Sequence, residues 1–175
     1  MDSINIHDLP ENLNKEELIL KHMKEDGINI EFIYDADFKN AKILRDFIEI
    51  IWSKLWLPNR DISRFILIVD ELNNNAIEYW TLEWYQNKIR IKANKNVDSV
   101  DVQIEVEDAW NWEKHKTALE METLRAHQLK LWYWNHASIR WRGLFMITVK
   151  SVDRLYFKDT ENWWLIVWIK KNVIL

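Results

Sequence analysis

A short segment in the middle of the chain carries most of the side chains that could do chemistry. Its sequence, over residues 70–80, is DELNNNAIEYW. Glu71, Asn75 and Glu78 follow one another at i, i+4 and i+7, so a helix would place them on one polar face. On such a face a carboxylate can accept a proton from an attacking hydroxyl or water, and an amide oxygen can bind Mg²⁺. The alternative is a solvated surface helix, although asparagines form helices poorly.

The apolar residues before this segment predict the helix that positions it. They recur at three- and four-residue steps, as in the core-facing stripe of an amphipathic helix. The stripe consists of Ile62, Phe65, Ile66, Val69, Leu72 and Ala76. Asp61, which follows Pro58, is a candidate N-cap for this helix.

The other elements predict one α+β domain. Residues 1–27 form an N-terminal extension with a short helix, for which Asn14 and Glu17 have the spacing of a capping box and Gly27 is a candidate terminator. Residues 28–175 contain alternating strand patterns and helical stripes in the order strand, helix, helix, strand, strand, lid, helix, strand, strand. This order predicts a two-layer α/β sandwich, with a mixed, mainly antiparallel sheet covered on one face by helices.

The segment between the second hairpin strand and the next short helix has a different character. From 113 to 134 the helical pattern is weak, and Leu119, Leu124 and Leu129 are spread among charged residues. A long polar excursion of this kind is typical of a mobile lid, which we place at about 110–140.

Length and charge limit the classes of function. The 175 residues, 48% of them hydrophobic, suffice for one domain with a full core, and no apolar run is long enough to cross a membrane. The net charge of −4 provides no bulk attraction to nucleic acid or to an anionic membrane, so we expect neither as a partner. The chain has no cysteine and no signal-peptide pattern, which indicates a cytoplasmic protein.

The composition is abnormal in two residue types, because the chain has 12 tryptophans and 2 glycines. Trp56 precedes Leu57-Pro58, where a left-handed glycine would be expected to end a helix. Trp80 occupies the same kind of position, and Trp163 follows Asn162 where Asn-Gly would form a tight hairpin. We interpret the chain as one in which most glycines have been replaced by tryptophan. The alternative is a natural tryptophan-rich protein, although indoles are unusual at turn apices.

With glycine restored at tryptophan positions, three motifs stand in a familiar order and spacing. They are DELNNNA at 70–76 with glycine at 80, D-x-G-x-G at 108–112, and G-R-G-L at 141–144. This pattern resembles the histidine-kinase-like ATPases, the GHKL or Bergerat fold, and most of all their bacterial anti-sigma-factor serine kinases. The resemblance covers about residues 28–175, including a lid between the second and third motifs.

The resemblance implies roles for individual residues. Asn75 would be the magnesium ligand and Glu71 the general base, and Asp108 would accept a hydrogen bond from the adenine amino group, unless it only forms a turn. Backbone amides at 141–144 would bind phosphate at a helix N-terminus. The remaining positions implied in nucleotide binding are Trp110, Trp112, Trp141, Arg142, Gly143 and Leu144.

The resemblance also implies a function for the glycine-containing parent. Proteins of this type bind ATP and magnesium, hold a sigma factor, phosphorylate a serine of a STAS-type anti-anti-sigma protein, and commonly form homodimers. One alternative is a module of the same fold that sequesters a partner without catalysis. Another is the catalytic domain of a sensor histidine kinase, but no helical pair with a phospho-acceptor histidine precedes the domain.

The tryptophans at the motif glycines predict a defect in the chain as written. Trp110, Trp112 and Trp141 occupy positions where the family uses glycine for close backbone approach or for positive φ. Each substitution is expected to cost on the order of 1–3 kcal/mol, so we predict weak or absent ATP binding.

Overall fold

A mainly antiparallel sheet forms one layer of the structure. The computed structural model describes residues 1–77, 86–107, 116–132, 151–161 and 164–175. The strands are β1 (Asp2–Asn5), β2 (Met23–Lys24), β3 (Gly27–Asp35), β4 (Gln86–Lys95), β5 (Ser99–Glu107), β6 (Arg154–Asp159) and β7 (Leu165–Ile174). Their order is β1-β3-β4-β5-β7-β6, and β2 pairs with β3 beside this path. Only β1 runs parallel to its neighbour among these described strands.

Helices form the second layer. Within the described residues they are α1 (Lys15–His22), α2 (Lys39–Lys54), α3 (Asn59–Asn75) and α4 (Ala118–Trp132), together with a short 3-10 turn at Ile6–Asp8. Alternate residues of each central strand are buried against the helices, as in the cross-sheet row Phe32, Ile89, Val106 and Val167. The α+β sandwich predicted from the sequence is therefore confirmed. Among the described residues, no helix combines the length and the apolarity needed to cross a bilayer.

Aromatic contacts join α2 and α3 to the core. The Phe47 ring of α2 stacks on Phe32 of β3 at 5.0 Å between centroids. The Trp52 ring of α2 lies 5.1 Å from that of Phe65 on α3. The predicted α3 stripe is buried apart from Ile66, which is partly buried. The apolar spacing of both helices thus fixed which face packs on the sheet.

The N-terminal segment adds the strand β1, which pairs in parallel with β3 and which the sequence analysis did not predict. Asn14 caps α1 by accepting a hydrogen bond from the Glu17 amide, so the Asn14 half of the predicted capping box is confirmed. The Glu17 carboxylate forms an ion pair with Lys21 at 2.9 Å. Gly27 does not end the helix, because α1 ends at His22 and Gly27 begins β3 with φ of +140°. A Cβ at Gly27 would lie 1.9 Å from the carbonyl oxygen of Ala93, so the close strand pairing itself requires glycine.

The end of α2 has the geometry predicted for a glycine terminator, although a tryptophan occupies it. Trp56 has φ of +63°. Its amide donates to the Ser53 carbonyl, and the Leu57 amide donates to the Trp52 carbonyl at 3.2 Å. These are the two hydrogen bonds of a Schellman motif, with the left-handed residue at C′. The predicted left-handed position at Trp56 is therefore confirmed.

The start of α3 differs from the prediction. Asp61 is not the N-cap, because the helix begins at Asn59 with Pro58 in the capping position. The Pro58 carbonyl accepts hydrogen bonds from the amides of Asp61 and Ile62, so the helix begins three residues earlier than expected. Asp61 is buried in that first turn and accepts a hydrogen bond from Arg64 at 3.2 Å.

The helix α4 lies inside the segment predicted as a lid and is attached to β6, the last strand of the sheet path. The Ala118 amide donates to Asp159 Oδ1 at 2.8 Å, and Arg125 Nη1 donates to the Leu155 carbonyl at 2.9 Å. Met121 is fully buried in the core. The described half of the predicted lid therefore has defined attachment points, and its mobility stays a prediction.

Candidate functional site

The candidate site is built on the last turns of α3. Glu71 and Asn75 both lie within this helix, one turn apart, so they share a face as predicted. Glu71 is half-buried, and Asn75 is buried with 5% of its surface exposed. Glu78, the predicted third member of this face, lies outside the described residues. The structure thus brings the carboxylate and the amide together at one end of the helical layer.

The environment of Glu71 changes its acidity. Burial raises the pKa of this carboxyl above its ordinary value, and the negative charge of the neighbouring Asp70 raises the pKa further. A carboxylate with a raised pKa is a stronger base in its ionised form, and its pKa lies closer to neutral pH. The Glu71 environment therefore suits a proton acceptor better than that of a freely solvated glutamate.

Asp70 is held by an arginine from the neighbouring helix. Arg45 of α2 donates from Nη2 to Asp70 Oδ2 at 2.7 Å and from Nε to Oδ1 at 3.4 Å. This two-point contact ties α2 to α3 one residue before Glu71. The sequence analysis missed it, because Arg45 and Asp70 are 25 residues apart and belong to different helical stripes.

Two of the three asparagines are buried. Asn73 is 1% exposed, and neither its Oδ1 nor its Nδ2 has a hydrogen-bond partner in the described part of the chain. The buried Nδ2 of Asn75 is likewise without a partner there. After Asn75 the chain continues as a π turn at residues 76–77, and such turns are frequent at functional sites. Burying these amide atoms without hydrogen-bond partners destabilises the folded state. The same atoms remain able to form hydrogen bonds to a ligand.

A charged cluster lies at the end of β5. The strand β5 itself contacts α3. Arg90 of β4 donates to Glu31 at 2.7 Å and also to Glu107, and its Nη1 lies 3.7 Å from Glu105. Lys88 lies 3.4 Å from Glu107. Burial lowers the pKa of Arg90, but the hydrogen bonds and charges of Glu107 and Glu31 outweigh burial and raise it. The cluster fixes the last residue of β5, directly before position 108.

The remaining residues assigned from the sequence cannot be placed. Asp108, Trp110, Trp112, Trp141, Arg142, Gly143 and Leu144 lie outside the described residues. Their roles in binding adenine and phosphate therefore stay predictions.

The donor set of α3 can be compared with what a metal needs. Across the described ranges, no three His, Cys, Asp or Glu side chains come together in a group that could hold a metal ion. Magnesium keeps several waters and substrate phosphates, so one protein oxygen is enough to help bind it. The amide oxygen of Asn75, in the last turn of α3, is chemically suited to be such a partial ligand.

Comparison with known proteins adds no family evidence. No protein-family model matches the chain, and no curated protein matches it significantly.

Proposed function

We propose that the glycine-containing parent of this chain is an ATP-binding serine kinase of the anti-sigma type. The proposal rests on one observation above all: half-buried Glu71, with its raised pKa, lies one helical turn from Asn75, whose buried amide Nδ2 has no partner among the described residues. A phosphoryl-transfer site needs a proton acceptor and an oxygen ligand for magnesium close together, and Glu71 and the amide oxygen of Asn75 would supply these from one helix face. The α+β sandwich and the motif order are compatible with this proposal.

In the proposed reaction Glu71 accepts the proton of the attacking hydroxyl. The serine oxygen of the partner protein forms a bond to the γ-phosphorus of ATP, the bond to the β–γ bridging oxygen breaks, and ADP leaves. Asn75 would hold magnesium through its amide oxygen, and bound magnesium would neutralise charge on the triphosphate. Glu71 must be ionised to act, so phosphoryl transfer should increase as the pH rises through its raised pKa.

The partners in this proposal are a sigma factor and a STAS-type anti-anti-sigma protein, with a homodimer as the working form and the cytoplasm as the compartment. All of these come from the motif resemblance. Sequestration of the sigma factor without catalysis is the competing proposal, and phosphate transfer separates the two.

The experiment uses a chain in which Trp110→Gly, Trp112→Gly and Trp141→Gly are combined. Calorimetry with ATP and magnesium should show binding in this restored chain and weak or no binding in the chain as written. Micromolar binding by the chain as written would contradict the predicted tryptophan defect.

Transfer is measured separately with labelled ATP and a STAS protein as acceptor. In the restored chain, Glu71→Gln should keep ATP binding and reduce transfer by about a hundredfold or more. The matched control is Glu49→Gln, which changes an exposed glutamate on α2 and should leave both unchanged. Partner binding without any transfer in the restored chain would overturn the kinase proposal in favour of sequestration.

A further inference from the structure

The face of the sheet opposite the described helices carries a groove lined by cations. Its volume is about 490 Å³, within the range of small-molecule sites. The cationic lining residues are Lys92, Arg154, Lys170 and Lys171. This groove lies on the opposite face of the sheet from α3, so it is separate from the site at Glu71 and Asn75.

Three of these cations stand in one row across four strands. Lys92 of β4 pairs with Gln103 of β5, Gln103 pairs with Lys170 of β7, and Lys170 pairs with Arg154 of β6. Adjacent strands lie about 4.8 Å apart, so the row spans roughly 14 Å. Residues in such a row point to the same face of the sheet, which concentrates three positive charges along one line.

Lys170 and Arg154 face each other directly, and like charges in this position destabilise an antiparallel pair. No carboxylate of the described residues lies within ion-pair distance of Lys92, Lys170 or Arg154. Lys170 Nζ instead lies 5.1 Å from the Trp168 ring centroid, and Arg154 donates to the Tyr156 hydroxyl at 2.9 Å. Within the described ranges, the three cations of the row therefore have no direct ion pair with a carboxylate.

The two acidic residues of the groove are already engaged. Asp153 accepts from Lys171 Nζ and from the Asn172 amide, both at 2.7 Å. Asp101 accepts from the side-chain amides of Asn172 at 2.8 Å and Asn96 at 3.0 Å. Hydrogen bonds from Asn172 and Asn96 lower the pKa of Asp101, and the positive charge of Lys170 contributes to this shift. Asp101 therefore offsets part of the charge of the row, but neither carboxylate forms a direct ion pair with Lys92, Lys170 or Arg154. The three cations of the row can still contact an external anion.

We propose that this groove binds a small anion carrying at least two phosphate groups, through Lys92, Lys170 and Arg154. Lysine ammonium and arginine guanidinium are the usual partners of phosphate oxygens. One phosphate can reach only the adjacent pair Lys170 and Arg154, whereas a longer anion can also reach Lys92. The ligand class is that of inorganic polyphosphates and compact phosphorylated metabolites.

The test titrates inorganic triphosphate, with orthophosphate for comparison, into the chain as written. Calorimetry should show triphosphate binding at least tenfold tighter than orthophosphate binding. In an amide-resolved NMR spectrum the largest shifts should fall at Lys92, Gln103, Lys170 and Arg154. Equal affinity for the two anions, no binding, or shifts centred on α3 would overturn the proposal.

The variant that tests the row combines Lys170→Gln with Arg154→Gln. It should weaken triphosphate binding about tenfold or more, while its urea midpoint stays at or above that of the unaltered chain because a like-charge pair is removed. The matched control combines Lys24→Gln with Lys158→Gln, two exposed cations outside the groove, and should bind nearly as tightly as the unaltered chain. An equal loss in both variants would show charge attraction without a site and would overturn the proposal.

Two further variants distinguish a failure of the groove proposal from a failure of the kinase proposal. Asn75→Ala should leave triphosphate binding at the groove intact, and the groove variant should leave ATP binding by the glycine-restored chain intact. Loss of groove binding in Asn75→Ala would place the anion at the α3 site and overturn this proposal.

Discussion

Arg45 and Asp70 join α2 to α3 through two contacts, with Nη2 to Oδ2 at 2.7 Å and Nε to Oδ1 at 3.4 Å. Asp70 is the residue immediately before Glu71, and its charge contributes to the raised pKa of Glu71. The ion pair thus orients a charge that acts on the proposed base. The ion pair links the packing of α2 and α3 to the acidity of Glu71.

The first prediction concerns the effect of Glu71 on stability. The folded state holds the Glu71 proton more tightly than the unfolded chain, so the unfolding free energy falls as pH rises from about 4.5 through the raised pKa. At pH 7 the ionised carboxylate therefore destabilises the fold. Glu71→Gln should raise the unfolding free energy at pH 7 by about 0.5 kcal/mol, a small gain because solvent screens a half-exposed group. Urea denaturation followed by circular dichroism measures it.

The same comparison at pH 4 separates electrostatics from packing. Below the unfolded pKa both states are protonated, so the gain from Glu71→Gln should nearly disappear. Glu49→Gln, at an exposed position of α2, should show no such pH-dependent gain. A gain for Glu71→Gln that is the same at both pH values would contradict the electrostatic explanation.

The second prediction concerns the left-handed tryptophan. Trp56 has φ of +63° and is 76% exposed, so its indole adds little packing while its backbone is strained. Trp56→Gly should raise the unfolding free energy by about 0.5–1 kcal/mol, because the relief of strain exceeds the entropy cost of glycine. Urea denaturation at neutral pH is the measurement.

Trp56→Ala serves as the control for backbone strain. Alanine removes the exposed indole but keeps a Cβ at positive φ, so we expect almost no gain. If alanine stabilises the chain as much as glycine does, the exposed indole and not the backbone is the cause.

The sequence predicted the helices and strands wherever apolar periodicity was strong. The stripes of α2 and α3 and the alternation in β4 and β5 each specify one buried face, and the structure has those faces. The left-handed position at Trp56 was predictable because a helix end followed by an apolar residue and proline requires it. Strand β1 was not predicted, because four residues that pair in parallel with distant β3 carry almost no periodic signal.

The candidate site was predictable only in part, for a similar reason. Glu71 and Asn75 follow from spacing within one helix. The Arg45–Asp70 pair and the close approach of Gly27 to Ala93 depend on how separate elements meet, which no local pattern encodes. The direction in which the Glu71 pKa shifts likewise depends on burial, and burial became known only from the assembled fold.

The third prediction concerns Asn73, which is 1% exposed and has no hydrogen-bond partner for either amide atom in the described ranges. A buried amide without partners costs about 1–3 kcal/mol. Asn73→Leu, which replaces it with an apolar group of similar volume, should therefore raise the unfolding free energy by about 1–2 kcal/mol, measured by urea denaturation.

Asn74→Leu is the matched control, because Asn74 is only half-buried and should give no comparable gain. Destabilisation by Asn73→Leu would show that the Asn73 amide is hydrogen-bonded in solution, against the arrangement described above.

The last prediction concerns the charged cluster that holds the end of β5. Arg90 neutralises Glu31 and Glu107, both of which are buried. Arg90→Met leaves these carboxylates without their guanidinium, so the unfolding free energy at pH 7 should fall by about 3 kcal/mol. Arg90→Lys keeps the charge but loses the multiple N–H contacts, and we expect a smaller loss.

The Arg90→Met defect should come from the two buried carboxylates that the variant leaves without their guanidinium. Combining Arg90→Met with Glu31→Gln and Glu107→Gln should restore stability at pH 7 for the same reason. A loss that the triple variant does not recover would show that Arg90 acts through the packing of its side chain and not through charge. The cluster would then have no electrostatic part in fixing the strand that leads to position 108.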